Sequence, residues 1–245
     1  MSAENYINIV KDCITNVWET QKDVISQSSK IIAEAIKNKK NVFVFGCSHA
    51  GIIAEEVFYR TGGLAIINPI FFPGFMLNTR PITMTSQLER LPGLGKIIID
   101  QNHVGEGDVL IIHSVSGRNT VPVEMALEAK SKGVHTIAIT SLDYSKSVSS
   151  RHPSGLHLYE ACDLVIDNCG EVGDAAVTID GLPEKIGPTS TAVGATIINA
   201  VVIEAVEKLI ADGVVPPVFL SANLNGGDEH NAKIFAEYKD NIFYM

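Results

Sequence analysis

The chain has 245 residues, 46% of them hydrophobic, with a formal net charge of -9 at pH 7. That length and apolar content can bury one large core, so a single domain over residues 1–245 is expected, and the acidic balance argues against nucleic acid as a partner. No run approaches the roughly 20 apolar residues that cross a bilayer, and Met1 to Lys11 lacks the basic start and apolar block of a signal peptide, so the sequence reads as a cytoplasmic protein without membrane contact.

Residues 3–39 have helical spacing: Ile7, Val10, Cys13, Ile14, Val17 and Trp18 form one stripe, and Ile31, Ile32 and Ala35 continue a second. Two helices are predicted, with Ser28 or Ser29 capping the second and Lys37 to Lys40 serving its C-terminal dipole. Asn41 to Phe45 is a short β-branched and aromatic run, a predicted strand, and Ile52 to Arg60 regains helical period. Between them, Gly46-Cys47-Ser48-His49-Ala50-Gly51 offers close backbone approach, a hydroxyl and a helix N-terminus, the features that hold an anion. His49 can contact a ligand oxygen or relay a proton, and Glu55 or Glu56 can act as a general base if the helix faces the site. Cys13, Cys47, Cys162 and Cys169 show neither CxxC pairs nor zinc-ribbon spacing, which predicts buried thiols and no structural metal.

Leu64 to Asn68 is a second predicted strand, and Pro69 to Leu77 an irregular apolar arm carrying Phe71, Phe72, Phe75 and Met76, which suits a buried segment or a subunit contact. Ser86 to Leu91 and Leu94 to Asp100 read as short helices. The next strand, Asp108 to His113, ends in Ser114-Val115-Ser116-Gly117-Arg118-Asn119, and Val121 to Lys130 is a helix with Pro122 in its first turn. Backbone N–H groups, two hydroxyls and the dipole of the helix converge there, so a phosphate is the expected occupant, although capping alone would use some of the same residues.

Val134 to Thr140 is a fourth predicted strand, Ser141 to Gly155 a long loop, Leu164 to Asp167 a fifth strand, and Ala175 to Ile179 an extended edge segment. Thr189-Ser190-Thr191 beside Pro188 opens a helix that is apolar almost all round, expected in a core or a dimer interface and with a third anion-friendly end. The tail turns at Asn225-Gly226-Gly227 and enters a last helix with Glu229 and His230 at its start. Strands alternating with helices predict an α/β fold on a parallel sheet, with all three hydroxyl-rich loops beyond the carboxyl ends of the strands.

These residues resemble the sugar isomerase (SIS) domain superfamily. Gly46-Cys47-Ser48 is similar to its first loop, Ser114 to Asn119 to its Ser-x-Ser-Gly-x-Ser/Thr phosphate loop, and Thr189-Ser190-Thr191 to the entry of its third ligand helix. The resemblance implies a three-layer, flavodoxin-like sandwich around a five-stranded parallel sheet, with its core over about residues 35–212, N-terminal helices at 3–39 and a C-terminal tail at 213–245. It also implies a sugar phosphate as ligand, no cofactor, and a homodimer in which a partner chain can complete the site. Within the superfamily, Ala54 to Arg60 and Gly226 to Asn231 resemble a subgroup of phosphosugar-binding proteins related to phosphoheptose isomerase. The acid and base positions of that isomerase fall on Phe58 and near Asn199, where neither residue type matches, and Asn119 stands where the family has Ser or Thr.

The implied function is binding of a sugar phosphate, with aldose–ketose isomerisation through an enediol as the first reading. A binding or sensing module without chemistry and an amino-sugar-phosphate lyase or etherase are the alternatives. Glu229 and His230 are the preferred acid–base pair, reaching a neighbouring subunit's site, ahead of His49 with Glu55 or Glu56.

Overall fold

The computed structural model describes residues 1–245. No Gly or Pro interrupts residues 2–37, and they form one continuous helix, α1 (Ser2–Lys37), in place of the two that the hydrophobic stripes predict. The expected cap does not exist. Ser28 and Ser29 are buried against the rest of the protein, and Ser29 Oγ donates back to the Ser26 carbonyl (2.9 Å) and to Glu204 (3.2 Å).

Five parallel strands form the sheet: β1 (Val42–Gly46), β2 (Ile67–Pro69), β3 (Val109–His113), β4 (His135–Thr140) and β5 (Leu164–Asp167), in the order β2-β1-β3-β4-β5. This is the flavodoxin-like arrangement. Val44 lies opposite Ile111, and Ile111 opposite Ile137. Side chains alternate between faces: Val42, Val44, Val109 and Ile111 join a core of 31 buried residues, while Phe43, Phe45, Leu110 and Ile112 join a second core of 21. Both faces are covered, so the strands read as nearly continuous apolar runs.

The first core lies under α1, α2 (Ile52–Val57) and α8 (Ser190–Ala211). The second lies under α4 (Leu94–Asp100), α5 (Thr120–Ser131) and α7 (Leu158–Ala161). The short helices α3 (Met84–Leu88) and α6 (Leu142–Ser147) belong to connections, the latter inside the long loop expected over 141–155. Helix α2 stops at Val57 rather than Arg60, because Phe58 is extended and Tyr59 has a positive φ of 43°. Strand β2 begins at Ile67, not Leu64, which instead makes an isolated antiparallel bridge with Val218.

The segment expected at the sheet edge is also placed differently. β6 (Ala175–Val177) pairs antiparallel with β7 (Ile186–Pro188) in a separate two-stranded ribbon. Helix α9 (Gly227–Glu237) closes the chain, with Ile234 in the first core. No helix is long and apolar enough to cross a membrane.

Candidate functional site

Strand order reverses direction between β1 and β3, and the loops that follow both strands open at that switch point, where α/β sheets bind ligands. After β1 the chain turns so sharply that a Cβ on Gly46 would sit 2.4 Å from the Ala50 carbonyl oxygen, so only glycine fits. A 3-10 turn, Ser48–Gly51, follows, with Ser48 itself at φ 55°. His113, the last residue of β3, fixes this turn: its Nδ1 lies 3.0 Å from the Ala50 carbonyl. Burial lowers the His113 pKa and keeps the ring neutral, so Nδ1 carries the donated proton. Its Nε2 is buried without a partner, facing Gly194 of α8.

The second loop is held entirely from its outer side. Thr140 Oγ1 donates to the Val115 carbonyl (3.1 Å), Ser145 Oγ to the Ser116 carbonyl (2.9 Å), and the Leu158 amide to the Gly117 carbonyl (2.8 Å). Gly117 has a φ of 58°, and a Cβ there would meet Ser145 Oγ at 2.9 Å. With the carbonyls so tethered, the amide N–H groups of Val115, Ser116, Arg118 and Asn119 make no hydrogen bond within the chain. Neither do the hydroxyls of Ser48, Ser114 and Ser116, whereas the neighbouring Thr120, Thr140, Ser141 and Ser145 all spend theirs on backbone carbonyls. Free N–H groups, free hydroxyls and the N-terminus of α5 share one place, an arrangement that holds anionic oxygens.

Asn119 is differently employed. Its Oδ1 accepts a 2.7 Å bond from Arg151, and burial raises the pKa of the Glu89 carboxyl against the opposing influence of Asn119, Arg90 and Arg151. Asn119 therefore links the loop to Arg151. Cys47 is buried, and burial with the nearby Glu89 charge pushes its thiol well up, so only its backbone is available to a ligand.

The third expected loop is filled by the protein's own carboxylate. Asp174 Oδ1 accepts from the amides of Thr189 (3.1 Å) and Ser190 (2.9 Å), and Oδ2 from Ser190 Oγ (2.6 Å). The N-terminus of α8 is thus already charge-compensated. Thr189 Oγ1 is buried without a partner, and Thr191 is half-buried.

Of the acid–base candidates, Glu55 lies on an exposed position of α2 and lines a cleft with Gly46, Ser48, Gly51, Phe71 and Met76, and His49 is exposed in the adjoining 3-10 turn. Glu56 is engaged, pairing with Arg60 and accepting from Asn199 Nδ2 at 3.1 Å. The pair Glu56–Asn199 thus brings together the neighbourhoods of the two positions that phosphoheptose isomerase would use, with Glu56 two residues before Phe58. Glu229 and His230 lie elsewhere. His230 Nε2 is 3.0 Å from the Val218 carbonyl, and the 217–219 segment pairs with residues 62–65 ahead of β2, at the amino end of the sheet. Within one chain they are at the opposite end from the serine loops. No cluster of three or more His, Cys, Asp or Glu side chains is arranged to hold a metal ion.

Glu89, His113, Arg151 and Asp174 escape a reading of the sequence because each acts from outside the loop it serves. Arg151, in the long polar loop after β4, is the one with a visible signal.

The SIS domain family model matches residues 5–141, more than half of the chain. The UPF0309 protein of Shouchella clausii is 50% identical over 99% of both chains, and that of Oceanobacillus iheyensis 49% identical over 99% of this chain and 98% of its own. Among solved structures, a phosphoheptose isomerase from Francisella tularensis shares the fold with a TM-score of 0.54 at 14% identity, covering 83% of this chain and 95% of its own. Loop motifs, sheet order and sequence similarity agree that the chain belongs to the SIS domain family and, within it, to the UPF0309 proteins.

Proposed function

We propose that this protein binds a sugar phosphate at the carboxyl ends of β1 and β3 and isomerises it between aldose and ketose forms. The observation that carries the reading is the set of unsatisfied donors: Ser48, Ser114 and Ser116 hydroxyls beside the free amides of Val115, Ser116 and Arg118. Such donors favour a phosphate dianion without requiring a basic protein. Replacing Ser116 by Ala tests it. Thermal shift should show phosphorylated sugars losing affinity far more than their parent sugars, and equal losses would sink the assignment.

For the chemistry, the cleft geometry favours Glu55 as the base that moves a proton between C1 and C2, with His49 serving the ring oxygen or the carbonyl. Each group in such a role typically contributes about 100- to 10,000-fold. An enediol route exchanges the migrating proton with solvent, so deuterium from D2O should enter the sugar at C1 or C2 with the wild type and not with Glu55→Gln. Ligand-dependent stabilisation without any exchange across a sugar-phosphate panel would favour the sensing module instead.

A second reading retains Glu229 and His230, donated by a second copy of the chain. It is supported by exposed apolar side chains on α8 and α1: Ile203 and Ile210 of α8 are 60% and 61% exposed, and Trp18 of α1, near Thr196 and Ala200, is 58% exposed. If Glu229→Gln and His230→Ala keep near wild-type exchange, the tail serves structure only.

A further inference from the structure

Three of the five arginines of this acidic chain gather around one helix N-terminus. Arg118 precedes the cap residue of α5 and reaches Ser149 (3.2 Å). Arg151 is tied there by its amide to the Arg118 carbonyl (2.8 Å), by its carbonyl to Thr120 Oγ1 (3.1 Å), and by its guanidinium to Asn119 (2.7 Å). Arg90 is brought alongside because the Val121 amide donates to the Glu89 carbonyl at 3.0 Å. Arg60, far from this place, is the one arginine engaged in an ion pair; none of these three has a carboxylate within 4 Å.

Such a gathering is electrostatically unfavourable in the free protein. A helix N-terminus already carries about half a positive charge, and like charges around it repel. The strain is visible at Arg151, whose pKa is lowered first by burial and then by the charges of Arg118 and Arg90. Glu89, the single acid nearby, is itself pushed toward its neutral form by burial. Arg118 adds a second sign, a buried Nε without any partner. One phosphate on the serine loop is already supplied with free amides and hydroxyls. The arginines stand to the side of that loop, on Asn119 and Ser149, where they exceed what the phosphate needs.

We propose that Arg90, Arg118 and Arg151 form a second anion subsite, so that the preferred ligand is a sugar phosphate carrying a further carboxylate or phosphate. Guanidinium groups suit both, through paired N–H donors. This rests on the phosphate assignment to the serine loop, and the test separates the two.

Ring stereochemistry is removed by using three-carbon probes: glycerol 3-phosphate, 3-phosphoglycerate and 2,3-bisphosphoglycerate, measured by calorimetry on the full chain. The wild type should bind one or both doubly anionic probes about tenfold or more tighter than glycerol 3-phosphate. Preference for 3-phosphoglycerate alone identifies a carboxylate subsite, and preference for the bisphosphate alone a phosphate subsite. In Arg90→Gln/Arg118→Gln, checked for folding by its melting curve, that ratio should fall to near one. Single Arg90→Gln and Arg151→Gln variants should lower it in part and replace the double variant if it fails to fold. Equal affinity for all three probes in the wild type overturns the subsite while leaving the phosphate loop intact. A uniform loss across the probes in the arginine variants also overturns it, assigning the arginines to the phosphate itself. Absence of binding by every probe and by inorganic phosphate removes both proposals.

Discussion

Asp174 makes the sharpest test of how the third loop is used. Its carboxylate accepts three hydrogen bonds at the start of α8, from two backbone amides and the Ser190 hydroxyl, and so caps a 22-residue helix of the first core. Substituting a helix cap by Ala costs about 1 kcal/mol, and the charge–dipole interaction contributes about 0.3–1 kcal/mol more. Asp174 is half-buried, and its loss also leaves the Ser190 hydroxyl, on a residue only 4% exposed, without its acceptor. Together these place Asp174→Ala at about 2–3 kcal/mol, equivalent to a melting temperature lower by about 4–12 °C for a domain of this size. Asp174→Asn keeps one acceptor oxygen for the two amides and should lose about half as much. Urea titration and differential scanning calorimetry would measure both. A change under about 0.5 kcal/mol in Asp174→Ala would refute the capping argument. If Ser190→Ala weakens sugar-phosphate binding as much as Ser116→Ala does, the α8 terminus belongs to the ligand site after all.

Gly117→Ala introduces a Cβ at φ 58° and 2.9 Å from Ser145 Oγ; it should cost about 1–2 kcal/mol and weaken phosphate ligands more than tenfold, read by calorimetry. His113 is neutral when folded, with its pKa held below the unfolded value near 6.5, so its contribution is complete above that pH and is lost as pH falls and the unfolded chain gains the proton. The wild-type melting temperature should therefore drop more steeply below pH 6.5 than that of His113→Gln; parallel curves would contradict this. Light scattering should give twice the 26.4 kDa chain mass, and Ile203→Glu should shift the protein toward the monomer.

The parallel sheet was legible from the sequence because its strands are buried on both faces and their apolar runs end abruptly at Gly46 and Ser114. Glycine and small hydroxylated residues at those ends reflect local requirements, a turn that excludes a Cβ and a helix start, so two of the three loops can be located without a fold. The continuous α1 was not legible from its stripes alone, since Ser28 and Ser29 act as caps or as buried residues depending on whether another helix covers them, and α8 does. Likewise, hydroxyls at Thr189, Ser190 and Thr191 look identical to those at Ser114 and Ser116 in one dimension. Only the tertiary structure brings Asp174 to the former and Thr140 and Ser145 behind the latter, so that the Thr189 and Ser190 amides and the Ser190 hydroxyl are engaged while the Ser114 and Ser116 hydroxyls are left free. The convergence of Arg90, Arg118 and Arg151, separated by up to 61 positions (151 − 90), is decided in the same way: backbone bonds between distant loops place their charges at one helix end.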